Sequence, residues 1–245
     1  MRQLEVAGWK CVHDPAEPKG EVCVINTCGF IGDAKEESIN MILQMAERKK
    51  KGKLKKLIVM GCLSERYRAE LEEELPEVDE YYGKFDFENL TLSLSQGEGT
   101  KAGYHPAKLT ENANGCAPYE RKLTTPSHYA YLKISEGCNR MCSYCAIPLI
   151  TGRHTSRPME EILEEVRWLV KQGVKEFNVI AQDLSSYGMD LKPHPALPLR
   201  EGGSQTAHKR HLLPELVDKM AQIEGVEWIR LHYAYPTDFP DALLD

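Results

Sequence analysis

No stretch of this 245-residue chain approaches the ~18 consecutive apolar residues that a membrane-spanning helix needs. The first residues, Met1 to Val6, have neither the apolar core nor the small-residue cleavage site of a secretory signal, so a cytosolic, reducing setting is expected. An excess of positive charge is missing as well. With 31 Lys and Arg against 37 Asp and Glu, the formal charge of -6 argues against a chain devoted to gripping nucleic-acid phosphates and suits a basic protein partner. In a reducing compartment the eight cysteines are not expected to form disulfides, and clustered ones read as metal or redox sites. What is present, 42% hydrophobic and 28% charged residues, is ordinary for one or two soluble domains with cores.

The chain alternates strand and helix signals in two blocks. In the first, Glu21 to Asn26 predicts a buried strand, and Ile31 to Lys50 a helix with Ile39, Ile42, Leu43, Met45 and Ala46 on one side. Lys56 to Met60 predicts a second strand, and Ser64 to Leu75 a helix that Pro76 ends. Both strands run directly into a cysteine-bearing turn, at Cys28 and at Cys62. Ligands of parallel sheets collect outside the carboxyl ends of the strands, so these two cysteines are candidates for one shared site. Taken alone, each reads more simply as a packed thiol. Cys11, Cys23 and Cys116 have no such context and receive no function; Cys23 is expected in the core and Cys116 in a linker.

Residues 91–127 lose periodicity and fill with Gly, Thr, Asn, Pro and Lys, which predicts a linker between a domain at 1–90 and a second at 128–245. The second block begins with a strand at Tyr129 to Ile134. A helix follows from near Ser156, with Pro158 in its first turn, a stripe of Met159, Ile162, Leu163, Val166, Leu169 and Val170, and Gly173 as its stop. Phe177 to Ala181, Leu213 to Ile223 and Glu227 to Tyr233 add strand, helix and strand, with a polar excursion from Lys192 to His211 between them. This is the opening half of a β/α barrel, whose active sites sit on the loops after strands.

One such loop holds Cys138, Cys142 and Cys145 in a CxxxCxxC pattern with Tyr144 before the last cysteine. Cys142 and Cys145 by themselves suit a thioredoxin-like redox pair or half of a zinc site. A third cysteine upstream serves no purpose for a dithiol, and there is no second CxxC or HxxxH pair to complete zinc ligation. Spacing and placement favour three thiolates on a four-iron cluster that keeps one iron open. Gln182 and Asp183 end the next strand, where a barrel enzyme would contact cofactor or substrate; a polar strand end facing water is the competing account. Arg153 and Arg157 are candidates for a carboxylate, with solvated loop arginines as the plainer alternative. The basic run Arg48 to Lys56 has the look of a nucleic-acid patch, but its place at a helix carboxyl end is accounted for by the helix dipole.

The run from His128 to Cys138 resembles the radical S-adenosylmethionine enzymes, specifically the methylthiotransferases. Ala146-Ile147-Pro148, Ser156-Arg157-Pro158, Ala181-Gln182-Asp183, Ser186-Tyr187-Gly188 and Arg230 to Pro236 are similar to the members that modify an aspartate of small-subunit ribosomal protein S-twelve. Ile25 to Ile31 and Gly61-Cys62-Leu63 match the family's amino-terminal domain. The resemblance implies an α/β fold: an amino-terminal α/β methylthiotransferase domain, then a partial radical SAM β/α barrel. It implies that Cys138, Cys142 and Cys145 hold a 4Fe-4S cluster that binds S-adenosylmethionine; Gln182, from its place at the strand end, is a candidate contact to that cofactor. It also implies that Cys28 and Cys62 hold a second 4Fe-4S cluster tied to sulfur insertion. The implied partners are ribosomal protein S-twelve or the small ribosomal subunit, a sulfur donor, and an electron donor such as flavodoxin or ferredoxin.

Against the family pattern the chain is expected to be short at both ends, lacking the first strand with its first cluster cysteine and the later barrel strands. Two rivals follow. The tRNA methylthiotransferases share the chemistry but usually carry a run nearer Val-Val-Pro-Tyr where this chain has Ala146-Ile147-Pro148-Leu149. The other rival is a non-catalytic iron–sulfur fragment.

Overall fold

The computed structural model describes residues 1, 4–5, 9–15, 18–84, 86, 90, 93–94, 120–191, 211–236 and 239–244. Most of the predicted linker, Cys116 included, and nearly all of the excursion from Lys192 to His211 lie outside the described residues. The chain divides into two compact units, Met1–Lys122 and Leu123–Asp245.

The first unit is built on a three-stranded parallel sheet: β1 (Val22–Thr27), β2 (Lys56–Gly61) and β3 (Glu80–Tyr82), in that order. Helix α1 (Gly32–Lys50) connects β1 to β2, and α2 (Cys62–Glu74) connects β2 to β3. Buried Ile42, Met45 and Ala46 of α1 pack with Ile25, Leu57, Val59, Leu63 and Leu71 on one face of the sheet. Ile39 and Leu43, which the sequence pattern groups with them, are exposed instead; Leu43 stands about 100° around the axis from Ile42. Central β2 is apolar on both faces, with Ile58 and Met60 buried on the second, as expected of a strand covered on both sides. Tyr81 closes the carboxyl end of α2, its hydroxyl donating to the carbonyls of Leu71 and Leu75. Burial pushes that phenol up to about 12.

The sequence pattern misses β3, which is only three residues long, and starts α2 two residues late. Gly61, at φ 110°, precedes the helix, so Cys62 is its first residue rather than part of a loop. The basic run is also explained more fully than by the dipole. Lys49 pairs with Asp79, Lys50 with Glu77, Lys55 with Glu21 and Lys56 with Glu80, so much of its charge is answered inside the unit.

The second unit carries a parallel sheet in the order β4 (Tyr129–Lys133), β7 (Glu176–Ile180), β8 (Trp228–Leu231). Strands that neighbour in space follow one another in the chain, with α4 (Met159–Lys171) between the first two and α5 (Leu213–Ala221) between the last two. That winding is the one a β/α barrel uses. Ile162, Leu163, Val166 and Leu169 of α4 are buried with Leu132, Phe177, Val179, Leu213 and Leu216. Gly173, at φ 94°, follows the helix in the left-handed conformation that ends it.

Two short strands sit above this sheet, β5 (Ser135–Glu136) and β6 (Thr155–Ser156), paired antiparallel. Ser156 therefore belongs to a strand, and α4 starts only after Pro158. Between them α3 (Ile147–Thr151) follows the cysteine loop. Arg157 is engaged by a carboxylate of the unit itself and not held out toward a ligand. Its Nη1 donates to buried Glu165 at 2.8 Å and to the Lys133 carbonyl at 2.6 Å, tying β6 to both α4 and β4. The Tyr187 hydroxyl donates to the Arg157 carbonyl from within the core. Replacing Glu165 with Ala leaves the guanidinium without its buried counter-charge. Urea unfolding followed by circular dichroism should show a loss of about 3 kcal/mol; a loss under about 1 kcal/mol would mean the pair behaves as a surface one.

Candidate metal centre

Parallel pairing delivers the candidate residues of each unit to one end of its sheet. In the first unit Thr27 is the register partner of Gly61, so Cys28 and Cys62 leave neighbouring strands at the same level. The two turns are tightly apposed. A Cβ on Gly29 would lie 2.5 Å from the Cys62 carbonyl oxygen, and one on Gly61 would lie 2.5 Å from that of Thr27. The Thr27 hydroxyl donates to the Met60 carbonyl at 2.7 Å, and the Cys28 amide donates to Ser38 at 3.1 Å. Both cysteines are half-buried. Cys23 packs against the unit's core, where burial pushes its thiol up, as the core reading expects. Cys11 is a free, half-buried thiol well before these turns.

In the second unit Cys138, Cys142 and Cys145 form one loop leaving β5, each a half-buried free thiol. Gly137 makes the loop possible: at φ 73° its missing Cβ would fall 2.2 Å from the Arg153 carbonyl oxygen. The Cys138 amide donates to the Gly152 carbonyl, the Cys145 amide to the Cys142 carbonyl, and the Arg140 amide to Cys138 Sγ at 3.4 Å. Asn139 Oδ1 accepts from the His154 amide, and the His154 ring meets the Ser156 hydroxyl at 3.1 Å. Burial lowers the His154 pKa, favouring the neutral ring. The loop's start and the segment around 152–156 are thus laced together. Met141 and Tyr144, by contrast, are 88% and 91% exposed.

Gln182 and Asp183 leave the end of β7 as expected. Gln182 Nε2 donates to Glu136 Oε2 at 3.1 Å, which connects the ends of β5 and β7, and Glu136 also pairs with Lys133. Asp183 is buried and accepts from Arg140 Nε at 2.7 Å and from the Ser186 hydroxyl at 2.8 Å. Arg153 is exposed, and its carbonyl lies against Gly137. Ser135 Oγ, Gln182 Oε1 and Asp183 Oδ1 are buried with no hydrogen-bond partner among the described residues. Polar atoms left that way at one end of a sheet are suited to a polar ligand.

Among the described residues, no three His, Cys, Asp or Glu side chains converge on a single metal ion. Three thiolates that each bind a different iron of one cluster need not do so. Soft sulfur donors, a sulfur already accepting an amide hydrogen, and a loop shaped by Gly137 fit such a group. Cys28 and Cys62 offer two sulfur donors of the same kind.

Residues 1–83 match the family model "Uncharacterized protein family UPF0004", and residues 132–224 match "Radical SAM superfamily". A protein of Bacteroides thetaiotaomicron named "Ribosomal protein uS12 methylthiotransferase RimO" is 58% identical over 99% of this chain and 49% of its own length. Bearers of the same name in Parabacteroides distasonis and Flavobacterium johnsoniae are 54% and 46% identical, each over 100% of this chain and 49% of theirs. The chain is thus similar to radical SAM methylthiotransferases along nearly its whole length. It spans about half the length of these curated relatives. The solved structure of a radical S-adenosylmethionine methyltransferase, TsrM, from Kitasatospora setae aligns over 59% of this chain and 33% of its own. Its TM-score is 0.40 at 15% identity, too loose to carry an argument.

Sequence reading missed the contacts of Glu136, Arg140 and Tyr235. A lone charge or ring in a loop gives no periodic signal, and only the meeting of strand ends reveals its partner. Gly137→Ala should prevent the cysteine loop from closing. After anaerobic reconstitution the variant should hold several-fold less iron at Cys138, Cys142 and Cys145 than the parent. Unchanged iron content would show that the loop tolerates the displaced Arg153 carbonyl.

Proposed function

We propose that the protein transfers a methylthio group to an aspartate of small-subunit ribosomal protein S-twelve by radical S-adenosylmethionine chemistry. The observation that carries this reading is identity of 54–58% along almost the whole chain to proteins named for that activity. The residues are apt for it. Cys138, Cys142 and Cys145 hold one 4Fe-4S cluster, and Cys28 and Cys62 supply two ligands of a second. When bound, the first cluster supplies the electron that cleaves S-adenosylmethionine, giving access to a carbon–hydrogen bond that no side chain could activate.

The chain's own part is binding and orientation. Gly137 and the amides of Cys138 and Cys145 set the loop. Glu136 fixes the amide of Gln182, leaving Gln182 Oε1 as a buried acceptor for a cofactor donor group. The domains at 1–90 and 128–245 then each carry one cluster, joined by the segment at 91–127. A reductant of the flavodoxin or ferredoxin type and a separate sulfur donor complete the reaction, in a cytoplasmic setting. Lys49, Lys50, Lys55 and Lys56 of the basic run each face a carboxylate, which reduces the positive charge offered there to tRNA and weighs against the tRNA-modifying relatives.

The test is to reconstitute the protein anaerobically, add S-adenosylmethionine, reductant, sulfide and small ribosomal subunits, and analyse ribosomal protein S-twelve by mass spectrometry. One methylthio group replacing hydrogen on an aspartate is expected. Cys138→Ala should abolish both this product and deoxyadenosine release, whereas Cys28→Ala should abolish the product and spare deoxyadenosine. Methylthiolation of tRNA with none on the protein would overturn the substrate assignment.

A further inference from the structure

Arg140 lies inside the cysteine loop, two residues after Cys138 and two before Cys142, yet its side chain is only 21% exposed where Met141 and Tyr144 are open to solvent. Arg140 Nε donates to Asp183 Oδ2 at 2.7 Å. Its guanidinium carbon stands 3.7 Å from the centroid of the Tyr235 ring, a cation–π stack. Asp183 follows β7 and Tyr235 follows β8, so one side chain from the loop reaches the carboxyl ends of both other strands of the sheet.

Both anchors are themselves fixed. Asp183 is only 2% exposed, and its Oδ2 also accepts from the Ser186 hydroxyl. The Ser185 hydroxyl accepts from the Tyr235 amide at 2.8 Å and donates to the Tyr235 carbonyl at 2.9 Å. A single 3-10 turn, Leu184–Ser186, therefore braces both partners of Arg140. Arginine suits the task because its planar group can donate to a carboxylate along its edge while stacking a ring on its face, which lysine cannot do. A buried carboxylate beside an arginine is costly to leave alone, so the contact resists opening.

We infer that Arg140 is a positioning residue. It clamps the CxxxCxxC loop to Asp183 and Tyr235, and so sets the spacing of the three thiolates before any cluster is bound. This rests on the reading that those thiolates hold a cluster, but the clamp is testable without one.

The experiment compares the parent with Arg140→Ala, Arg140→Lys, Asp183→Asn and the exposed-side variant Tyr235→Leu. In the cluster-free protein, alkylation of Cys138, Cys142 and Cys145 is timed by peptide mass spectrometry, with Cys28 as the internal control. In the reconstituted protein, iron release to a chelator and the electron paramagnetic resonance line shape of the reduced cluster are recorded. Arg140→Ala and Asp183→Asn should each speed alkylation of the three loop cysteines and iron release by about tenfold, the scale of one charge-assisted hydrogen bond. The line shape should change, Arg140→Lys should recover only part of the loss, and Cys28 should react as in the parent. Tyr235→Leu, which leaves the buried ion pair intact, should give a smaller change in the same direction.

Rates within twofold of the parent and an unchanged line shape in Arg140→Ala overturn the proposal, as does a loss of thermal stability with no change in either. If Arg140→Ala or Asp183→Asn fails to fold, Tyr235→Leu and Arg140→Lys decide, and parent-like rates in both overturn it. If the parent binds no iron at this loop, the cluster reading fails. Faster alkylation in Arg140→Ala would then still uphold the clamp.

Discussion

Parallel strand pairing is the constraint on which both units depend. A parallel sheet sends every chain out at the same end, so residues far apart in sequence arrive side by side. Register sets the level at which they arrive. Thr27 opposite Gly61 puts Cys28 beside Cys62, and Leu132 opposite Val179 puts the loop after β4 within reach of Gln182 and Asp183. Each sheet earns that precision from an apolar core with no functional role, Leu57 and Val59 in one unit and Leu132, Phe177 and Val179 in the other.

Glycine supplies the second ingredient. At Gly29 and Gly137 the backbone approaches a neighbouring carbonyl more closely than any side chain would permit. The cysteines that follow or precede these contacts are consequently held by the main chain, not by the packing of their own side chains. Hydrogen bonds then fasten each loop to a strand end, and buried charge pairs, Arg157 with Glu165 and Arg140 with Asp183, join elements that the sheet alone would leave independent.

The major elements were legible because their signals are repetitive. The stripe of α4 and the apolar runs of β2 and β7 recur at helix or strand period, and Gly173 and Pro76 punctuate them. The CxxxCxxC loop was legible because three thiols at fixed spacing have few other uses. The short strands β3, β5 and β6 were not, since two or three residues carry no period and are set by their partners. The same holds for charges. Arg157 reads from the sequence as a contact for a ligand carboxylate or as a solvated loop arginine and turns out to pair with buried Glu165, while Arg140, one arginine in a loop, gives no sign of the contacts that make it important. The Arg48 to Lys56 run shows the converse, a loud signal answered by carboxylates distant in sequence.

In the proposed function, the Cys138, Cys142 and Cys145 loop holds a cluster with one iron left open to S-adenosylmethionine. The most direct measurement is electron paramagnetic resonance of the reduced, reconstituted protein titrated with S-adenosylmethionine, with Cys28 and Cys62 both replaced by Ala so that only this loop contributes. A four-iron signal whose line shape shifts to saturation as the cofactor is added is the predicted result. A protein that retains zinc in place of iron, or an iron signal indifferent to the cofactor, would contradict it.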